Sequence, residues 1–395
     1  MKAKKFLGGI NEYSVRLHKM RKEGQYMSYY SVNLPRYTIG EGCYREIPEK
    51  ARFLGKTAVV IGGKTAMSKA KEKLLEGVKD SDVQILDFIW YGGDSTYENG
   101  NALMEQDVVK QADMIFAVGG GRACDTGKYL ANELDKPLFC FPTVASNCAA
   151  VTAISVIYHP DGSFREYYYP KAADHTFIES SIIADSPGQL LWAGIGDALS
   201  KECEAVFASR EDELSHTPMM GVQLSRICTA PLIDYGKKAL EDLREKRVSY
   251  ELEQVTLDII ISTGLVSNMV SSAPDYYYNS SLAHCVYYGS TVTEGGHRHL
   301  HGEVVALGVL CLLTFAKEFE ERDKIAKFNL SMGLPVCFDD IEVCENEFDA
   351  MADKALTTTE WEFRPKKSGV TKASFIQCMK ETNIYGRALK ECLTS

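Results

Sequence analysis

The sequence predicts an α/β domain built on a parallel sheet, followed by an all-helical domain. Three observations carry that prediction. Short apolar runs alternate with helix-compatible segments through the first half, two of those runs end in consecutive glycines, and after about residue 187 strand signals give way to long segments with apolar positions at helical spacing. Strands that alternate with helices in this way pair in parallel and carry helices on both faces.

The elements follow in order. Thr57-Ala58-Val59-Val60-Ile61 is an apolar, β-branched run that reads as a strand and stops at Gly62-Gly63. A helix over 66–75, a strand over 83–86 and a helix over 101–111 come next. Met114-Ile115-Phe116-Ala117-Val118 reads as a buried strand that ends at Gly119-Gly120-Gly121, followed by a helix over 125–134 and a strand over 138–141. Ligands on such sheets sit at the carboxyl ends of the strands, so Gly62-Gly63, the triple glycine and Pro142-Thr143 share one edge. Glycines at a strand-to-helix turn let the backbone approach a ligand and present N–H groups at a helix N-terminus, which suits a pyrophosphate. Beyond a boundary at residues 183–188, helices are predicted over 189–209, 224–245, 252–268 and 304–319.

Composition narrows the function class. With 395 residues, 45% of them hydrophobic and 25% charged, the chain has the make-up of a soluble two-domain protein. A net charge of −10 argues against nucleic acid and against an anionic membrane surface as partners. No apolar run approaches the roughly 18 residues of a membrane span. The segment 1–25 holds seven Lys/Arg against two Glu and lacks the apolar core of a signal peptide, so residues 1–26 read as an N-terminal extension. Twelve scattered cysteines without a C-x-x-C pair suit reduced thiols in a cytoplasm.

Three potential metal ligands fall in the helical half: Asp197, His284 and His301, the histidines being 17 residues apart. One carboxylate and two imidazoles make a catalytic Zn²⁺ set with a position left open. Taken singly, each residue better suits an ordinary role: Asp197 a helix cap, His284 a satisfied core histidine, and His301 an exposed cluster with His297 and His299. Spacing alone does not bring the three together.

From about Pro35 onward the chain resembles the iron-containing alcohol dehydrogenase and glycerol dehydrogenase superfamily. Four motifs match in order: GGGRACDTGK from Gly119, Phe141-Pro142-Thr143-Val144-Ala145-Ser146, GIGDALSKECEA around Asp197, and LAHCVYYG…HLHGEVVALG around His284 and His301. The resemblance implies a Rossmann-like nucleotide-binding domain over 27–185 and a helical metal-binding and substrate domain over 186–395, the dehydroquinate synthase-like architecture. It implies that Gly119, Gly120, Gly121, Arg122 and Ala123 line the pyrophosphate, with Asp125 of the same motif in the cofactor site. Thr143, Ser146, Thr152, Ile154 and Tyr158 would contact ribose and nicotinamide, and Asp197, His284 and His301 would hold the metal. It further implies a small-molecule substrate and a homo-oligomer.

Departures from the family pattern are informative. A fourth ligand, a histidine in some members, is here Lys201, which favours three-ligand zinc over iron. The aspartate that receives polyol hydroxyls in glycerol dehydrogenases is here Cys148, and a further histidine is Tyr287; losing the carboxylate weakens polyol binding. Ser146-Asn147-Cys148-Ala149-Ala150 with Asp197…Lys201 is closer to the hydroxycarboxylate dehydrogenase branch, whose 2-oxo acid substrates need a cation near the metal; Lys201, Arg165, Lys171 and Arg298 are available. The aspartate that binds the adenosine ribose of NAD is here Gly63, followed by Lys64, which favours NADP over NAD. The expected function is thus metal-dependent, NAD(P)-linked interconversion of a small hydroxy acid and its oxo acid. Its alternatives are a polyol dehydrogenase, a dehydroquinate synthase-like lyase, and a nucleotide-binding protein with a decayed active site.

Overall fold

The computed structural model describes residues 31–271, 277–363 and 365–394. Among the described residues eight strands form in chain order: β1 (Tyr37–Ile39), β2 (Thr57–Gly62), β3 (Gln84–Trp90), β4 (Met114–Gly119), β5 (Leu138–Pro142), β6 (Ser155–Tyr158), β7 (Phe164–Tyr168) and β8 (His175–Ile178). Six of them build one sheet in the order β3-β2-β4-β5-β8-β1, with every pair parallel. β6 and β7 form a separate antiparallel hairpin. The predicted parallel sheet is present; β1, the hairpin and β8 were not foreseen, being three to five residues long with little apolar signal in β7.

Alternate residues of the central strands face two cores. Val60, Phe116, Phe139 and Phe141 pack on one side with Phe177 and Tyr44. Phe116 and Phe139 stack at 5.4 Å, and Phe141 and Phe177 at 5.3 Å. Val59, Ile61, Ile115, Ala117 and Cys140 face the other side, in a core continuous with the helical half. β4 is therefore buried along its whole length, as a central parallel strand must be. The chain leaves β2 for β3 on one side and returns to place β4 on the other, so the strand order reverses between β2 and β4. Crevices at such reversals accept nucleotides.

After β8 the described chain is helical. The apolar helix His301–Ala316 runs through the middle, with Gly188–Ala198, Ser200–Ser209, Leu282–Ser290, Phe319–Met332 and Lys372–Thr394 packed around it. The segment predicted as one helix over 189–209 breaks at Leu199, and that over 252–268 contains a π-helical turn at Asp258–Ser262. The helix predicted over 101–111 is split into Tyr97–Met104 and Asp107–Gln111. Among the described residues no helix is long and apolar enough to cross a membrane.

Candidate active site

Close helix crossings bring Asp197, His284 and His301 together. A Cβ on Gly302 would lie 1.8 Å from the Ala193 carbonyl oxygen, and one on Gly196 would lie 2.4 Å from the Gly302 oxygen. Only glycine allows the helix ends bearing Asp197 and His301 to approach so far. A Cβ on Gly308 would likewise meet the Ala283 oxygen at 2.3 Å, which draws in the helix that carries His284. One ligand atom from each of Asp197, His284 and His301 then falls within 4.8 Å of the others. His301 Nε2 is 3.1 Å from Asp197 Oδ1, and His284 Nε2 is 3.8 Å from the same oxygen.

Glu204 stands behind His284. Its Oε2 lies 2.6 Å from Nδ1, while Oε1 accepts the backbone N–H groups of Ser281 at 2.7 Å and His284 at 3.0 Å. A proton on Nδ1 facing this carboxylate leaves the Nε2 lone pair aimed at the cluster, the tautomer a metal requires. Burial opposes ionisation of both acids, yet His301 and His284 hold the Asp197 carboxyl below its usual range, and His284 with the two N–H groups does the same for Glu204. Against burial, Glu204 and then Asp197 raise the affinity of His284 for a proton. An anionic oxygen and two imidazole nitrogens, one backed by a buried carboxylate, fit a divalent zinc or iron ion.

Around this cluster lie the residues that depart from the family pattern. Lys201, buried one helical turn beyond Asp197, donates to Asn279 Oδ1 at 2.8 Å, the Asn279 carbonyl at 3.3 Å and Ser267 Oγ at 3.1 Å. Cys148 Sγ is 3.9 Å from the same Ser267 hydroxyl. Tyr287 sets its ring edge-on to His301, with centroids 4.2 Å apart at 80°. The other three cations are held elsewhere: Arg165 by Glu98 at 3.4 Å, Lys171 by Asp135 at 2.8 Å and Arg298 by Glu342 at 2.6 Å.

The glycine turns lie at the carboxyl ends of β2 and β4. A Cβ on Gly62 would stand 2.4 Å from the Val118 oxygen, and one on Gly119, at φ +146°, would stand 2.8 Å from Ala123 Cβ. Gly120 caps the helix Gly121–Glu133 and Gly63 caps Lys64–Gly77, neither with a side-chain cap, so both helix N-termini remain accessible to an anion. Lys64 Nζ lies 4.4 Å from the Trp90 ring centre. Arg122 pairs with Asp94 at 3.3 Å, and its guanidinium covers the Tyr158 ring at 5.0 Å. The Thr143 N–H donates to the Gly119 carbonyl at 3.3 Å, which ties the β5 turn to the triple glycine. Ser146 Oγ accepts from Asn147 at 3.4 Å, beside Gly121. The Asp125 carboxylate is buried, where it meets Lys128 Nζ at 2.9 Å and the Val156 N–H at 3.1 Å. Lys128 in turn donates to the carbonyls of Thr152, at 3.2 Å, and Ile154. Asp125 and Lys128 thus brace the segment carrying Thr152, Ile154 and Tyr158 against the glycine helix.

The pattern of the family described as iron-containing alcohol dehydrogenase matches residues 35–178. Over 365 residues the chain is 30% identical to a glycerol dehydrogenase of Thermotoga maritima, covering 90% of this chain and 97% of that enzyme. The chain belongs to the iron-containing alcohol dehydrogenase family. It is also 31% identical over 327 residues to hydroxycarboxylate dehydrogenase A of Escherichia coli K12, covering 79% of this chain and 83% of that one. The solved glycerol dehydrogenase of Schizosaccharomyces pombe shares the fold, with a TM-score of 0.81 at 22% identity over 93% of this chain and 94% of that chain. Membership makes the protein an oxidoreductase acting on CH–OH groups, within a family that depends on NAD(P) and a metal.

Sequence reasoning missed four residues of this family member's cleft. Glu204 stands seven residues after Asp197, two helical turns along, and Lys128 three after Asp125, so both had a periodicity signal. Ser267 and Asn279, which hold Lys201, had none.

Proposed function

We propose that this protein is a metal-dependent, NAD(P)-linked dehydrogenase that interconverts a small 2-hydroxy acid and its 2-oxo acid. The observation that carries the reading is the Asp197–His284–His301 cluster with buried Lys201 just past the helix break at Leu199, close enough for its charge to act on the Asp197 carboxyl. A divalent ion held there, zinc in preference to iron, would supply a Lewis acid that polarises the carbonyl and lowers the alcohol pKa. Among the described residues Lys201 donates to neutral oxygens only, and a substrate carboxylate would take the place of one of them in a charge-assisted bond. Cys148, close to the same Ser267 hydroxyl, stands where the glycerol dehydrogenases carry an aspartate for the polyol. Gly119, Gly120 and Gly121 would take the pyrophosphate, with Arg122 and Ala123 beside it; Thr143, Ser146, Thr152, Ile154 and Tyr158 would line the ribose and nicotinamide. Lys64, following Gly63 and close to Trp90, favours the 2′-phosphate of NADP.

A second reading, a polyol dehydrogenase, is favoured by the glycerol dehydrogenase relative from Thermotoga maritima. Steady-state oxidation of NADPH and NADH with 2-oxobutanoate, 2-oxoglutarate, dihydroxyacetone and simple aldehydes separates the two. The expected result is turnover of a 2-oxo acid that disappears in Asp197→Ala. In Lys201→Met, which keeps the length and removes the charge, KM for the oxo acid should rise about tenfold or more, the worth of a hydrogen bond to a charged group. Preference for dihydroxyacetone, with Lys201→Met indifferent, would establish the polyol reading instead.

A further inference from the structure

The β6–β7 hairpin touches both halves of the cleft. On the nucleotide side it is fastened by Asp125 to the Val156 N–H, and by Tyr168, whose hydroxyl donates to Glu133 at 2.6 Å and accepts from Asn132 at 2.6 Å. On the helical side Tyr167 donates to Glu360 Oε1 at 2.7 Å and lies 2.8 Å from the Tyr288 hydroxyl. A phenol has one proton to donate, so Tyr288 must donate to Tyr167 and Tyr167 to Glu360. Glu360 is buried, and its hydrogen-bond partners among the described residues are hydroxyls: that of Tyr167 and, at 3.5 Å, that of Ser280. Tyr288 lies one turn after His284 on the helix Leu282–Ser290. The neighbouring Ser281 N–H is bound by Glu204, the residue that orients His284. A continuous hydrogen-bonded path therefore leads from the strand that ends at Tyr158 to the helix that presents a metal ligand.

We infer that Tyr167 and Glu360 couple the cofactor seat to the metal seat, so that occupation of either tightens binding at the other. Filling the cleft beside Tyr158 and Arg122 fixes the hairpin. A fixed hairpin holds the Tyr288–Tyr167–Glu360 path closed, and the closed path reduces the ordering that His284 must undergo to take a metal. Coupling of this kind is reciprocal by thermodynamic necessity and needs no large displacement. Without the Tyr167 hydroxyl, Glu360 keeps only its long contact to Ser280, and a buried carboxylate left short of donors forces its surroundings to rearrange. Tyr167 and Glu360 are positioning residues here, and the inference rests on the proposed cofactor and metal.

The test is direct titration of NADPH and NADH, followed by nucleotide fluorescence, on zinc-loaded and EDTA-stripped full-length protein. In the unmodified protein the nucleotide should bind at least about fivefold more tightly when zinc is present, the lower end of ordinary coupling. In Tyr167→Phe and in Glu360→Leu, which removes the acceptor, that ratio should fall close to one, while affinity for the stripped protein is retained. Tyr168→Phe, whose hydroxyl serves the nucleotide side alone, should keep the ratio. If Tyr167→Phe does not fold, Glu360→Leu carries the test, since it takes away the oxygen that receives the Tyr167 proton. A folded variant with the original ratio, or a ratio of one in the unmodified protein, overturns the inference while leaving the function reading intact. Failure of the unmodified protein to bind either nucleotide overturns both.

Discussion

Glu204 does more for the metal cluster than its position in an ordinary-looking Lys-Glu-Cys-Glu-Ala stretch suggests. It fixes His284 through the ring and through two backbone N–H groups, so its removal frees the imidazole to rotate and orphans three donors at once. Glu204→Ala should lower zinc affinity by about 10- to 100-fold, as loss of an outer carboxylate partner does. Competition with a zinc-binding dye measures this, and an unchanged affinity would mean that helix packing alone orients His284. Asp197, His284 and His301 were picked out through the motifs that resemble the family, since their spacing alone did not bring the three together. Glu204 was harder to pick out: it lies seven residues after Asp197, but an unpaired glutamate is seldom buried, so the spacing alone did not single it out. Lys201 was visible as a cation near Asp197, but its hold by Ser267 and Asn279 depends on segments 66 and 78 residues away.

At the scale of elements, the site depends on how closely helices cross. Gly302 is the tightest point, since a methyl group there would stand 1.8 Å from the Ala193 oxygen. Gly302→Ala must push apart the two helix ends bearing Asp197 and His301. It should cost about 1–3 kcal/mol or more in stability, as overpacking does, and reduce bound zinc. Urea unfolding together with metal analysis reads both effects; a fully loaded, equally stable variant would show that the crossing has slack. The same scale explains which elements the sequence revealed. β2, β4 and β5 are central strands, buried on both faces, and announce themselves as unbroken apolar runs. β1, β7 and β8 are short, and β7 (Phe-Arg-Glu-Tyr-Tyr) is held by tyrosine hydroxyls rather than by an apolar face. The break at Leu199 was invisible because its backbone is close to helical, at φ −56° and ψ −26°, and no proline or glycine marks it.

Across the whole molecule, two buried titratable groups respond to pH in opposite senses. His175, at the start of β8, has its pKa pushed down to about 4, by burial first and then by the charges of Lys50 and Arg36. Its folded value lies below the unfolded one of about 6.5, so its contribution to stability is complete above pH 6.5 and is lost as pH falls toward 4. Asp258, in the π-helical turn of the helical half, is pushed up to about 8 by burial, which outweighs the nearby Ser262 side chain; both its carboxyl oxygens are buried without a hydrogen-bond partner among the described residues. Its folded value lies above the unfolded one of about 3.9, so its contribution is complete at low pH and is lost as pH rises through 8. Between roughly pH 4 and 6.5 the two slopes oppose; above that range only the Asp258 slope persists, at up to about 1.4 kcal/mol per pH unit. Stability should therefore decline from about pH 6.5 to 8, and Asp258→Asn, neutral at every pH, should flatten that decline and uncover the loss on acidification below about pH 6.5 that His175 contributes. Urea unfolding of EDTA-treated protein across this range, which removes the pH dependence of metal binding, gives the comparison. If Asp258→Asn and the unmodified protein lose stability in parallel, the alkaline limb belongs to other groups and the buried carboxyl does not set it.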